Sequence, residues 1–140
     1  MFVKIFKDMS EEEFDEIKYI KLLEELDAIF PNCPFSISCI NDIKQLDETF
    51  TEKKDIIIKD DRANEFNYYY SNLNKNELAQ YTNYLVIKQK NDVPITLRQI
   101  LTEMSHSTHY NNSIIMKDDH NFLEGFDKMT DIEYISCFGS

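Results

Sequence analysis

Glycine is nearly missing from this chain: it occurs twice in 140 residues, beside three prolines and no tryptophan. That shortage excludes a Gly-rich phosphate cradle, a dinucleotide fingerprint and a flexible Gly/Ser linker, each of which needs several glycines at close spacing. Cysteine is scarce too. Cys33, Cys39 and Cys137 are an odd number with no CxxC pair, which argues against a disulfide framework or a zinc ribbon and for a reducing compartment. A Cys33–Cys39 bridge with a free Cys137 stays open beside the commoner reading, three small buried hydrophobes. Apolar runs such as Ile56-Ile57-Ile58 and Tyr84-Leu85-Val86-Ile87 are far too short to span a bilayer, and MFVKIFKDMSEEE lacks a signal peptide's apolar region. The expectation is a soluble, intracellular protein that is not secreted and has no membrane partner.

Positive charge is also in short supply. Fifteen Lys and Arg face 26 Asp and Glu, a net charge of -11. The excess is uneven: +1 for residues 1–9, -6 for 10–30, -2 for 31–116 and -4 for 117–140. A phosphate backbone would be repelled, so direct nucleic-acid binding is disfavoured. An acidic face suits a basic protein partner, or the DNA-binding surface of a nucleic-acid-binding protein, although a solvated outer face is the commoner use of such charge.

What is present is core material: 42% hydrophobic residues, including ten Phe and eight Tyr. The length fits one domain, residues 1–140, burying roughly two thirds of the surface its unfolded chain would expose. Residues 2–7, FVKIFK, suit a short opening strand. Ser10 with Glu13 reads as a capping box, and Glu11, Glu12, Glu13 and Asp15 complement a helix dipole, so a helix is expected over 10–30, with an apolar stripe on one side, an acidic face on the other, and Pro31 and Pro34 as its stop. The alternation in 35–40 and the β-branched run 55–59 predict strands, with a short helix from Asn41 or Asp42 to Phe50 between them.

The Asn- and Tyr-rich stretch 60–75 is hard to place; Tyr68, Tyr69 and Tyr70 with Tyr81 and Tyr84 can form a recognition surface or sit at a core margin with wet hydroxyls. Residues 76–90 begin helix-like and turn β-like at Tyr84, and 91–94 form a turn. Thr96 with Gln99 repeats the capping box ahead of a helix over 96–105, striped by Leu97, Ile100, Leu101 and Met104. A strand is expected over 113–117, and the apolar tail 134–138 should be packed down. The fold class is therefore α+β: a single compact domain with a mixed or antiparallel sheet covered by two main helices.

Candidate chemistry gathers between His106 and Phe126, which holds all three histidines. His106-x-x-His109 sets two imidazoles about one helical turn apart, and Asp119 and His120 add ligand types, so His106, His109, Asp119 and His120 form a candidate zinc or iron site. No HExxH or other diagnostic spacing accompanies it. A Cys137–histidine nucleophilic pair is a weaker candidate, because the apolar flanks of Cys137 imply a buried, unreactive thiol. The competing reading makes DDHNFLEGF a turn and anchor: Asp118 or Asp119 caps the turn, His120 bonds a backbone carbonyl, Phe122, Leu123 and Phe126 plug the core, and Gly125 supplies a positive φ or a close approach.

Pro94-Ile95-Thr96-Leu97, Glu103-Met104, Ser107, His109-Tyr110, Asp119-His120, Phe122-Leu123-Glu124-Gly125-Phe126 and Phe138-Gly139-Ser140 together resemble a pattern in short uncharacterised proteins of large (giant) DNA viruses that infect amoebae. The Asn-, Ile-, Lys-, Asp- and Tyr-rich composition is similar to that of such AT-rich viral genomes. The likeness covers the last third of the chain, and none of its motifs is tied to an activity. It implies a viral source and a host-cytoplasm or virion setting, and transfers no catalytic residue. Two functions follow as expectations: a non-enzymatic interaction or structural protein with an acidic surface, as a homodimer or with another partner, and, as the alternative, a metal-dependent enzyme using His106, His109, Asp119 and His120.

Overall fold

The structure is a computed structural model, and it describes residues 10–62, 84–111 and 119–140. The strands expected at 2–7 and 113–117, the tyrosines at 68–70 and 81, and most of 60–83 lie outside the described residues. Within them the chain is α+β. Helix α1 spans Glu11–Ile29. Strands β1 (Ser36–Ile37), β2 (Thr49–Thr51) and β3 (Asp55–Asp60) follow, then β4 (Tyr84–Lys88), β5 (Ile95–Thr96), helix α2 (Leu97–His106), β6 (Phe122–Lys128) and β7 (Glu133–Gly139). A 3-10 helix over Ile43–Asp47 precedes β2.

The main sheet is mixed, in the order β1-β6-β7-β3-β4, and β2 and β5 make a separate antiparallel pair. Period two assigns its faces. Ile56, Ile58 and Asp60 of β3 face inward, as do Tyr134, Ser136 and Phe138 of β7, and the parallel register sets Ile58 beside Tyr134 and Asp60 beside Ser136. From β4, Ile87 joins opposite Ile56, and from β6, Leu123 opposite Phe138. Ile100, Leu101 and Met104 of α2 close the core from above and are fully buried with Leu46 and Ile95.

Local chemistry accounts for the boundaries. Ser10 accepts the Glu13 N–H at 3.1 Å to start α1, and the Phe30 N–H donates to the Leu26 carbonyl ahead of Pro31. Thr96 accepts from Gln99 at 3.2 Å to start α2. Asp42 starts the 3-10 helix by accepting from Lys44, and the Gln45 side chain reaches back to the Asp42 N–H, a complete capping box. Asn91 and Asp92 both lie at φ 56°, the left-handed pair that closes a two-residue hairpin turn between Lys90 and Val93.

Four expectations need correction. The short helix expected from Asn41 or Asp42 to Phe50 is a 3-10 helix that ends at Asp47, and Phe50 lies in β2. The strand over 35–40 shrinks to Ser36–Ile37, because β1 has one partner, β6, and the chain leaves it at once. The FLEGF stretch, expected as an anchor beside a turn, is a full strand, Phe122–Lys128, antiparallel to β7: Leu123 is buried and Phe126 packs on the core as an anchor would, whereas Phe122 is exposed and Gly125 has neither a positive φ nor a neighbour within 4 Å of an added Cβ. Its place in the sheet is instead a register shift between Leu123 and Gly125. Last, α1 does not bury one clean stripe. Leu26 is buried and Leu22 packs on the core, while Phe14, Ile17, Tyr19, Ile20, Leu23 and Ile29 remain exposed.

Candidate functional site

Among the described residues two places have the makings of a site: a buried polar node at the end of β3, and the exposed flank of α1. The node is built by sequence neighbours. Asp60 ends β3 with its side chain on the core face, and the turn that follows brings Arg62 back over it. Arg62 donates to Asp60 from its backbone N–H (2.9 Å), from Nε to Oδ1 (2.9 Å) and from Nη2 to Oδ2 (2.8 Å). The turn after α2 supplies a fourth contact, His109 Nε2 to Oδ2 at 2.9 Å. An ionised carboxylate can only accept, so Nε2 carries the hydrogen. With four donors on its two oxygens, Asp60 has its acceptor positions filled.

The node reaches further through its other members. Arg62 Nη1 donates to the His120 carbonyl at 2.7 Å, just ahead of β6, and its guanidinium lies 3.8 Å from the Phe138 ring centre. Tyr110 and Ser136 share a 2.8 Å hydrogen bond, and Ser136 Oγ donates to the Lys59 carbonyl at 3.0 Å. Tyr110 also packs its ring against Phe35, Phe138 and His109.

Asp60, Arg62, His109 and Ser136 are 0–5% exposed, so the electrostatics are those of an interior. Burial alone would raise the Asp60 carboxyl, but the hydrogen bonds from His109 and Arg62 and the guanidinium charge outweigh it, and Asp60 titrates below its ordinary value. Tyr110 is driven far above the usual phenol range by burial, then by the Asp60 charge. The neighbouring Asp61 is raised by burial, against the Phe138 N–H it accepts, and further by Asp60. These directions describe a fixed charge arrangement: an ionised Asp60 surrounded by donors, and a phenol that stays protonated. The node ties α2's exit to β3, β6 and β7.

The four residues expected to gather around a metal are dispersed in role. His106 is exposed in the last turn of α2, Asp119 and His120 are exposed ahead of β6, and His109 points inward to Asp60. What the structure brings together is the His109 side chain and the His120 carbonyl, through Asp60 and Arg62. Among the described residues no group of three or more His, Cys, Asp or Glu is placed to hold a metal ion. Cys33, Cys39 and Cys137 are free thiols. Burial pushes Cys39 and Cys137 up to about 11, the latter helped by Asp127, whose carboxylate Cys137 contacts at 3.4 Å. That charge state is the opposite of an activated nucleophile.

Asp60, Arg62 and Ser136 were not singled out in the sequence, and Tyr110 entered only through the viral resemblance. A signal did exist: in DIIIKD, period two puts Asp60 on the face of Ile56 and Ile58, and a carboxylate on a core face needs a cation nearby.

The second place is α1. Phe14, Ile17, Tyr19, Ile20, Leu23 and Ile29 are between 36% and 56% exposed. Leu22, Leu26 and Phe30 form the inward stripe, and Ile17 and Ile20 fall on the far side of the helix. Eight acidic residues against two lysines share it over 10–30. No helix among the described residues is long and apolar enough to cross a membrane. No protein-family model, curated protein or solved structure matches the chain.

Proposed function

We propose that the protein is a non-enzymatic interaction protein that engages a basic protein partner through α1. The observation that carries this reading is the coincidence, on one helix, of six apolar side chains left 36–56% exposed and a net charge of -6 over residues 10–30. Single exposed hydrophobes are ordinary, but a run of them along a helix that touches few of the other described elements is the pattern of a docking surface. The acidic residues between them keep the helix wetted until a partner arrives and set the sign of that partner. The buried node supports the reading in a second way: Asp60 is saturated with donors and His109 is enclosed, so the strongest polar cluster serves the frame. The setting that accompanies this proposal is the host cytoplasm or virion implied by the viral resemblance.

The test is affinity capture by native protein and by Ile17→Asp with Ile20→Asp, at low salt and at 1 M salt, where the Debye length falls to ~3 Å. The expected result is a partner held by the native chain at low salt, released at high salt and missing from the folded variant. Equal capture by the variant would overturn the assignment to α1, and binding that persists at 1 M salt would overturn the charge-driven part.

A further inference from the structure

A groove of about 440 Å³ runs beside the first half of α1, between that helix and residues 40–42. We infer that it takes a basic amphipathic helix of the partner, with an apolar anchor on the groove floor and lysines or arginines on the rim. The groove is on the side of α1 that carries Tyr19, away from Ile17 and Ile20, so this rests on the interaction reading above, adds a second contact to it and names the chemistry of the occupant.

The floor is Leu22 and Ile40, both packed on the core, so the surface that would receive an anchor is held from below and pre-shaped. Tyr19, 56% exposed, stands over it and offers a large contact area with a polar tip. The rim carries Asp15 from α1 and Asp42 from the opposite wall. Asp42 is oriented in advance by its capping role, accepting the Lys44 N–H at 2.9 Å. A carboxylate has roughly four acceptor positions, so a partner's cation can share it. The cation on the rim, Lys18, leans toward the Phe14 ring, 5.9 Å from its centre.

The walls decide the shape of the occupant. One is a helix and the other, residues 40–42, is outside any strand, so no β-ladder is offered there and the walls suit a helix laid in the groove. Charge decides its sign. A second copy would bring another helix of net charge -6 against the first, and nucleic acid or an anionic lipid surface would meet the same repulsion.

The probe is a labelled synthetic peptide with leucine on one helical face and lysine on the other, followed by fluorescence anisotropy against the full chain. Asp15→Asn with Asp42→Asn should weaken it about tenfold, and Tyr19→Ala should do the same. The amide oxygen introduced at position 42 can still accept the Lys44 N–H, so the cap survives the change. Glu16→Gln with Glu24→Gln, which removes equal charge away from the groove, should leave affinity within about twofold. Undiminished binding to Asp15→Asn with Asp42→Asn, or equal loss in Glu16→Gln with Glu24→Gln, overturns the groove; the interaction reading would then stand if Ile17→Asp with Ile20→Asp still abolished binding, and fall if it did not. Self-association by sedimentation that Tyr19→Ala reverses would also overturn the groove's assignment, giving it to a second copy.

Discussion

Replacing Asp60 by Asn removes one charge from the interior and leaves its shape almost unchanged. Asp60 accepts from Arg62 N, Nε and Nη2 and from His109 Nε2, and its side chain is 0% exposed, that of Arg62 4%. Asn offers one carbonyl oxygen where the carboxylate had two, and its amide donors would face donors of Arg62 or His109. The guanidinium would keep the His120 carbonyl but lose its counter-ion while buried. Breaking a buried pair from one side costs about 3–5 kcal/mol. For a chain of this size that lowers the melting temperature by roughly 10–20 °C. Urea and thermal unfolding measure it directly. The pH dependence adds a signed check. Because the folded pKa of Asp60 lies below its unfolded value of about 3.9, its stabilisation is fully present above that pH and is lost as pH falls through the folded pKa. The native chain should therefore lose stability on acidification more steeply than Asp60→Asn. A variant within about 1 kcal/mol of native, with an unchanged acid slope, would refute the claim that this node holds α2 to the sheet.

Tyr110→Phe removes one hydrogen bond while Ser136 keeps the Lys59 carbonyl, so a loss of about 1 kcal/mol in urea unfolding is expected, well below that of Asp60→Asn. Thr96→Ala deletes the α2 cap and should cost about 1 kcal/mol by the same measure. Cys39 and Cys137, raised to about 11, should react slowly with a thiol reagent at neutral pH, and faster once urea exposes them or the pH is raised. Zinc, iron or manganese should leave the melting temperature unmoved; a rise abolished by His109→Ala with His120→Ala would bring the metal-dependent enzyme back.

The helices were the most legible part of the sequence, because their signals are local. Ser10 with Glu13 and Thr96 with Gln99 mark starts that the structure reproduces within one residue. Strand β3 was legible for the same reason, its β-branched run being self-contained. FLEGF was read as a core anchor and its strand was missed, because its strand character depends on β7, whose Phe138 and Ser136 pair with Leu123 and Phe126 across the hairpin; nothing within five residues of Gly125 records that partner. The exposed side of α1 was hidden too. A 3.6-residue stripe shows which residues can face a core, and only the tertiary arrangement shows that the core ends near Leu22, leaving Tyr19, Ile17 and Ile20 outside it. The polar node joins Asp60 to His109 across 49 positions. The histidine pattern drew attention to His109 for a ligand role, whereas its ring meets a carboxylate from a distant strand.

Hydrogen–deuterium exchange with and without the leucine–lysine peptide tests the docking claim most directly, because it reads the contact surface with no substitution in the chain. Slower exchange confined to residues 15–22 and 40–42, lost when salt is raised to 1 M, is the predicted result. Protection on the β4 edge or around β6 and β7 with none on α1, or no protection anywhere, would contradict it.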